Sequence, residues 1–382
     1  MALLVGPRQV GKTTLARSLL PAGGPYFNWD VETDRRLLVR SPEEFWRDRA
    51  SAARPVRIAL DEIHKFPRWK RFLKGLYDAH SDEIEILVTG SGRLDVYQRG
   101  GDSLLGRYFL HHLHPFTVGE LLARGNQDVV SPNRFLRILD DPPEGSGAAE
   151  AVELVERFTG FPEPLFKGRE NFLARWRRAR RDLVLREDLR DLTRIREMGL
   201  LESLAVLLPE RIGSPLSVNA IREDLGVAFN TVRGWIEALS RLFYLFEIRP
   251  FAGRLSRTLR REAKVYLYDP SEIPSEGARF ENLVALHLLK LVEAWSDRGE
   301  GDFALHYLRD KEKREVDFLI VEHRRPFLLV ECKISDRDEP RGLDYFAERL
   351  GLRKAACVVR QGSLRRRGRH LVIPAPRFLA LI

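Results

Sequence analysis

Apolar residues along this chain follow two rhythms. Short, nearly unbroken apolar runs come first: Ala2-Leu3-Leu4-Val5, Val56-Arg57-Ile58-Ala59-Leu60 and Ile84-Glu85-Ile86-Leu87-Val88. Their length and β-branched content predict buried strands, and Pro25–Trp29 and Tyr108–Leu113 read as two more. Between them Thr14–Leu20 is helix-like. Phe66, Trp69, Phe72, Leu73, Leu76 and Tyr77 recur at helical spacing and predict a helix over Phe66–His80 that packs on a sheet. Strands alternating with helices over residues 1–125 predict a parallel α/β sheet with helices on both faces.

The rhythm changes after residue 125. Gly125–Ala149, with Pro132 and the Asp140–Gly147 run, reads as a linker, and Phe172–Glu197 as a long charged helix. Residues 126–200 form the expected connector. Over 201–258 three helices are predicted, Leu200–Leu208, Leu216–Leu225 and Asn230–Phe243, followed by a wing at Phe243–Phe251. That is the pattern of a winged helix-turn-helix, with Thr231, Arg233, Glu237 and Arg241 facing outward on its third helix. Such a module either enters a DNA groove or docks on protein. In 259–382, Glu281 opens a helix over Asn282–Ala294, and Glu315–Val321 and Phe327–Ile334 read as neighbouring strands.

Candidate chemistry sits where the first strand meets the first helix. Gly6-Pro7-Arg8-Gln9-Val10-Gly11-Lys12-Thr13 matches G-x-x-x-x-G-K-[ST] at every position, and Thr14 continues it. Glycines let backbone N–H groups curl round a phosphate. The following helix start adds unpaired donors. Lys12 would reach the β- and γ-phosphates of ATP, and the Thr13 hydroxyl would ligate Mg²⁺. The second apolar run ends in Asp61-Glu62. Asp61 would hold the magnesium ion, and Glu62 would act as general base on the attacking water. His64 reads as helix-entry packing or surface. At the end of the next strand, Ser91 and Thr89 are the candidates to sense the γ-phosphate. Arg107, with Arg93 in reserve, reads equally as an arginine finger, in its own or a neighbouring copy of a homo-oligomer, or as an ordinary surface residue. No N/T-K-x-D string favours GTP.

These stretches, GPRQVGKTTLA, LDEIHKFPRW, VTGSGR and SLLGRYFLHHLHPFTVGEL, resemble the AAA-type ATPases of bacteria and archaea that carry an uncharacterised C-terminal domain. The resemblance spans nearly the whole chain and implies that Pro115–Leu121 joins the two parts. Members of that family carry some tens of residues ahead of strand one, whereas this sequence starts there. The resemblance therefore leaves base recognition and full activity as the properties most exposed to that difference.

Composition adds a partner class. The chain has 382 residues, 44% hydrophobic and 31% charged, with a net charge of +9, which suits a polyanion such as DNA. Arg175, Arg177, Arg178, Arg180 and Arg181 cluster in one helical stretch, and Arg365, Arg366, Arg367 and Arg369 in another segment; each is either a DNA contact or a solvated face. Cys332 and Cys357 are the 2 cysteines, too few for a disulfide framework. No apolar run approaches the ~18–20 residues of a membrane span. A strand beginning at Ala2 leaves no room for a signal peptide, so the expected location is cytoplasmic, without a membrane partner.

The last third carries a second constellation. Asp317, then Glu331-x-Lys333 on the next strand, is D…E-x-K across a hairpin; Glu331 and Lys333 share one face and Cys332 points inward. Carboxylates so placed bind Mg²⁺, while Lys333 orients a water or steadies the pentavalent charge. This resembles the PD-(D/E)xK nuclease superfamily, with Glu281 at its helix acid. The bland meaning of E-x-K is charge protecting an edge strand. The expected function is Mg-dependent ATP hydrolysis coupled to DNA binding. Its alternatives are an ATP-gated nuclease and a nucleotide-switched binding protein with little turnover.

Overall fold

Strands that are apolar on both faces need cover on both faces, and the first unit of the chain provides it. The computed structural model describes residues 1–49, 54–90, 104–123, 129–189, 197–251, 262–340 and 342–382. It divides into one unit of Met1–His114 with Arg241–Phe243 and another of Pro115–Ser240 with Tyr244–Ile382. In the first, β1 (Ala2–Val5), β2 (Tyr26–Asn28), β3 (Val56–Asp61), β4 (Ile84–Thr89) and β5 (Phe109–His112) form a parallel sheet in the order β2-β3-β4-β1-β5. The interior strands β3 and β4 are buried except at Arg57 and Glu85, which form an ion pair with each other. The edge strand β5 leaves Phe109 exposed. Helices Lys12–Ser18 and Trp69–His80 follow β1 and β3. Because all five strands run the same way, the ends of β1, β3 and β4 open on one rim, with β4 between the other two.

The second unit holds an eight-stranded mixed sheet in the order β12-β13-β11-β10-β9-β8-β6-β7. Its strands are β6 (Leu245–Pro250), β7 (Lys264–Leu267), β8 (Phe303–Arg309), β9 (Glu315–Glu322), β10 (Arg325–Ser335), β11 (Ala355–Gln361), β12 (Arg365–Arg367) and β13 (His370–Pro374). The helix Glu276–Asp297 packs on this sheet and buries Phe280, Leu283, Val284, Leu288 and Trp295. Ser275 caps it, so Glu281 sits in its second turn rather than opening it.

Several expectations need correction here. The Gly125–Ala149 linker contains a helix, Pro132–Ile138. Pro132 starts it, since the first helical position needs no N–H, and Phe135 anchors it against the rings of Trp295 and Phe378. The wing is no local hairpin within Phe243–Phe251: β6 is one strand that pairs antiparallel with β7 and parallel with β8. The helices Met198–Leu207, Val218–Leu225 and Phe229–Arg241 therefore lead into the large sheet, and the expected boundary at 258/259 lies outside the described residues. The strand β10 lies between β9 and β11, so edge protection does not explain Glu331 and Lys333. The charged helix ends its α-helical part at Asp182 and continues as a π-helical stretch to Asp188.

The segment Pro115–Leu121 belongs wholly to the second unit. Thr117 caps the short helix Val118–Leu122 in a reciprocal box with Glu120, and its hydroxyl donates to the Ile382 carbonyl at 2.8 Å. The Val118 N–H donates to Nε2 of His287 at 3.1 Å, and Lys290 pairs with Glu120. Burial pushes the His287 imidazole down from 6.5 to about 4, so it stays neutral and keeps that nitrogen as an acceptor. The folded chain then binds fewer protons at His287 than the unfolded chain between these values. Its contribution is complete above pH 6.5 and is lost as the pH falls towards 4. Denaturant unfolding at stepped pH checks this: wild type should lose up to about 3 kcal/mol more than His287→Gln over that window.

Candidate functional site

The loop after β1 is shaped by backbone that only certain residues tolerate. Gly6 has φ 155°, and a Cβ there would run into the Leu113 carbonyl. Gly11 at φ 103° begins the helix Lys12–Ser18. Gln9 adopts φ 63°, uncommon for a residue with a side chain. Lys12 is 8% exposed, and its ammonium donates to the Gly6 and Pro7 carbonyls at 2.9 and 2.7 Å. Pro7, Arg8, Gln9 and Val10 lie in the same turn, and Thr13 and Thr14 in the helix that follows.

Three hydroxyls converge on the buried Asp61 carboxylate. Thr13 donates to Oδ2 at 2.7 Å, Tyr26 to the same oxygen at 2.5 Å, and Thr89 to Oδ1. The sheet register dictates this, because Asp61 lies opposite Asn28 on one side and Thr89 on the other. Burial, and then the hydrogen bond to Asp61, push the Tyr26 phenol up to about 12. Glu62 leaves the strand in the left-handed region at φ 56°, with its N–H bonded to the Thr89 carbonyl at 3.0 Å. Its Oε2 lies 3.3 Å from Lys65 and 3.7 Å from Nε2 of the buried His64. Tyr26 and the left-handed Glu62 escaped the sequence reading; the signal for Tyr26 was only its place on the strand beside Asp61.

Thr89 therefore touches the Asp61 carboxylate, while Ser91 and Arg93 lie outside the described residues. Arg107 is not part of this constellation. It precedes β5, whose Phe109 pairs with Ala2 at the start of β1, whereas the loop follows the end of β1. Its guanidinium instead grips Asp78 through two bonds of 2.6 and 3.0 Å. An arginine finger acting in its own site is excluded by that placement at the opposite rim.

The C-terminal acids do gather, but around a residue that the D…E-x-K pattern did not include. Lys264, fully buried on β7, lies 3.2 Å from Glu281, 2.7 Å from Glu315 and 3.2 Å from Asp317. Tyr266 donates to Glu281 at 2.7 Å. Asp317 accepts from the Cys332 N–H at 2.9 Å, and Glu331 accepts from the Asp317 N–H at 3.2 Å and from Lys333 at 2.6 Å. Burial, reinforced by the Asp317 charge, pushes Glu281 up to about 7 and Glu331 to about 8. Burial alone would depress the Lys264 ammonium, but Asp317, Glu281 and Glu315 outweigh it and hold its pKa above the ordinary lysine value. Among the described residues, no group of three or more His, Cys, Asp or Glu is arranged to hold a metal ion. The only sequence hint of Lys264 was a lysine leading an otherwise apolar strand, KVYL.

The basic runs are similarly engaged. Arg233 on the third helix makes two bonds, 2.5 and 3.2 Å, to Glu247 of β6 rather than facing out free. Arg180 is buried, with its guanidinium 4.5 Å from the Phe161 ring, and Arg177 donates to Ser271 at 2.8 Å. Arg365, Arg367 and Arg369 pair with Asp336, Glu339 and Glu348.

A five-stranded parallel sheet with a glycine loop after β1 and an acid pair ending β3 defines an AAA-like nucleotide-binding domain. Residues 1–122 match the family model described as "AAA domain". Residues 157–273 and 276–378 match two models described as domains of unknown function, DUF8612 and DUF4143. Over a longer stretch the chain is similar to an uncharacterized protein of Mycobacterium tuberculosis and another of Mycobacterium bovis. Each is 25% identical over 343 residues, covering 86% of this chain and 69% of the relative. No helix among the described residues is long and apolar enough to cross a membrane.

The Arg107 placement yields a measurable expectation. Arg107→Ala should leave nucleotide affinity within about twofold of wild type in an equilibrium titration, because the side chain makes no contribution to its own loop. A tenfold loss would contradict the placement.

Proposed function

We propose that this chain binds Mg-ATP on the loop Gly6–Thr14 and hydrolyses its γ-phosphate bond. The observation that carries the reading is the Thr13–Asp61 hydrogen bond of 2.7 Å, which brings the phosphate-loop hydroxyl and the strand-end carboxylate to one point. These two groups, both oxygen donors, suit a magnesium ion and would hold it, Asp61 directly or through water. When bound, magnesium supplies charge neutralisation on the phosphate oxygens. The Lys12 ammonium, which now donates to two loop carbonyls, would exchange them for phosphate oxygens and stabilise charge developing on the leaving group. Glu62 would orient the water and take its proton. Thr89 keeps Asp61 in position, and Ser91 remains the candidate to contact the γ-phosphate. Arg107 would complete a site only on a neighbouring copy, after leaving Asp78.

One observation favours a second reading, a nucleotide-switched binding protein with slow turnover. The Glu62 carboxylate lies 3.3 Å from Lys65, an ion pair that competes with a water for its oxygens. DNA coupling rests on the net charge of +9, since several arginines of the expected contact stretches are held by carboxylates or buried.

Equilibrium nucleotide binding and steady-state phosphate release test these readings. Lys12→Ala should weaken Mg-ATP binding by about 100-fold or more, the loss of a buried charge-assisted contact. Glu62→Gln should keep affinity and lower kcat by about 10²–10⁴-fold. Binding without turnover in the wild type selects the switch. Absence of Mg-ATP binding in the wild type removes both.

A further inference from the structure

The acidic centre of the second unit is built around an ammonium group. A lysine head carries three N–H donors, and three carboxylates meet Lys264, from Glu281, Glu315 and Asp317, at 3.2, 2.7 and 3.2 Å. The side chain has no solvent exposure, and its strand is held on both sides, by β6 and by a bridge to Pro215. The Tyr307 ring lies 5.7 Å from the same nitrogen. These are the spacings of N–H···O bonds; magnesium would require oxygens at about 2.0–2.1 Å in near-octahedral array.

Charge tells the same story. The centre contains the carboxylates of Glu281, Glu315, Asp317 and Glu331. Facing them are Lys264, Lys333, which pairs with Glu331 at 2.6 Å, and Arg309, which pairs with Glu315 at 3.3 Å. Four carboxyl groups, of which burial pushes Glu281 and Glu331 towards the neutral form, face three cations, so the centre carries no excess of negative charge to draw a divalent ion into a buried site. Removing the lysine, in contrast, would leave buried carboxylates without a counter-charge, a costly state.

We infer that the Lys264 ammonium is the resident cation of this centre, holding the place among Glu281, Glu315 and Asp317 that a divalent metal would otherwise take. The C-terminal module is thereby kept as a charge-compensated scaffold that neither takes up metal there nor cuts phosphodiesters. Divalent affinity is latent in the acids and appears once the lysine is removed. The inference concerns the second unit alone and does not depend on the nucleotide reading.

The test uses the full chain without nucleotide: wild type, Lys264→Met, Asp317→Asn and the double variant, with and without Mn²⁺. Mn²⁺ should shift the thermal unfolding of the wild type no more than it shifts that of Asp317→Asn, since any ion at Asp61 is common to both. Lys264→Met should unfold at lower temperature, and Mn²⁺ should raise its midpoint by about 3 °C or more, as one bound ion does. That recovery should vanish in the double variant. A folded Lys264→Met that ignores Mn²⁺ overturns the inference. If Lys264→Met does not fold, Mn²⁺ titration of wild type against Asp317→Asn, followed by electron paramagnetic resonance, decides. Coincident curves support the inference, because any ion at Asp61 is common to both. A wild-type site, or Mn²⁺-dependent plasmid cutting, that disappears in Asp317→Asn overturns it.

Discussion

Three hydroxyls, from Thr13, Tyr26 and Thr89, converge on the carboxylate of Asp61, two from the strands beside it and one from the helix that follows β1. That convergence depends on a parallel sheet in the order β2-β3-β4-β1-β5. Because β1, β4 and β3 run parallel, the Thr13 hydroxyl just after β1 and the acid ending β3 meet on one rim, with Thr89 ending the strand between them. The left-handed Glu62 follows from the same constraint: the chain must turn sharply at the strand end while its N–H stays bonded to β4. A non-glycine residue in that conformation costs about 1 kcal/mol or more, which the surrounding sheet holds in place.

The second unit obeys a related rule with different consequences. Charges and polar groups taken out of water must be met inside the protein. Lys264 is met by three carboxylates, Arg180 lies among aromatic rings, and His287 stays neutral between a carbonyl and an N–H. Each arrangement ties together segments far apart in the chain, and the result is cohesion. The same electrostatic logic distinguishes the two acid sites. Asp61 is satisfied by neutral hydroxyls, which an incoming cation can replace with no loss of positive charge. Asp317 is satisfied by an ammonium group, which an incoming cation would have to expel.

Much of the first unit was legible from the order of residues. The glycine loop is contiguous, the strand before it is an unbroken apolar run, and the acid pair ends the next long run, so each signal is local. The second unit was legible as a list of elements but not as a sheet. The wing seemed local because Phe243–Phe251 alternates like a hairpin, yet its partner strand starts at Lys264 and it also joins β8. The strand carrying Glu331 and Lys333 seemed an edge because it carries charge, yet β10 is interior and its charges face other charges.

What the sequence determined by itself, then, were those features in which cause and effect lie within a dozen residues: strand, turn, helix start, and the types of side chain a phosphate requires. Tertiary structure alone decided which charged groups are free. Arg107 is claimed by Asp78, Arg233 by Glu247, and Asp317 of the D…E-x-K pattern by a lysine 53 positions before it. The physical reason is that a charge responds to whatever lies within a few ångströms, and in a folded sheet those neighbours come from strands that no local pattern connects.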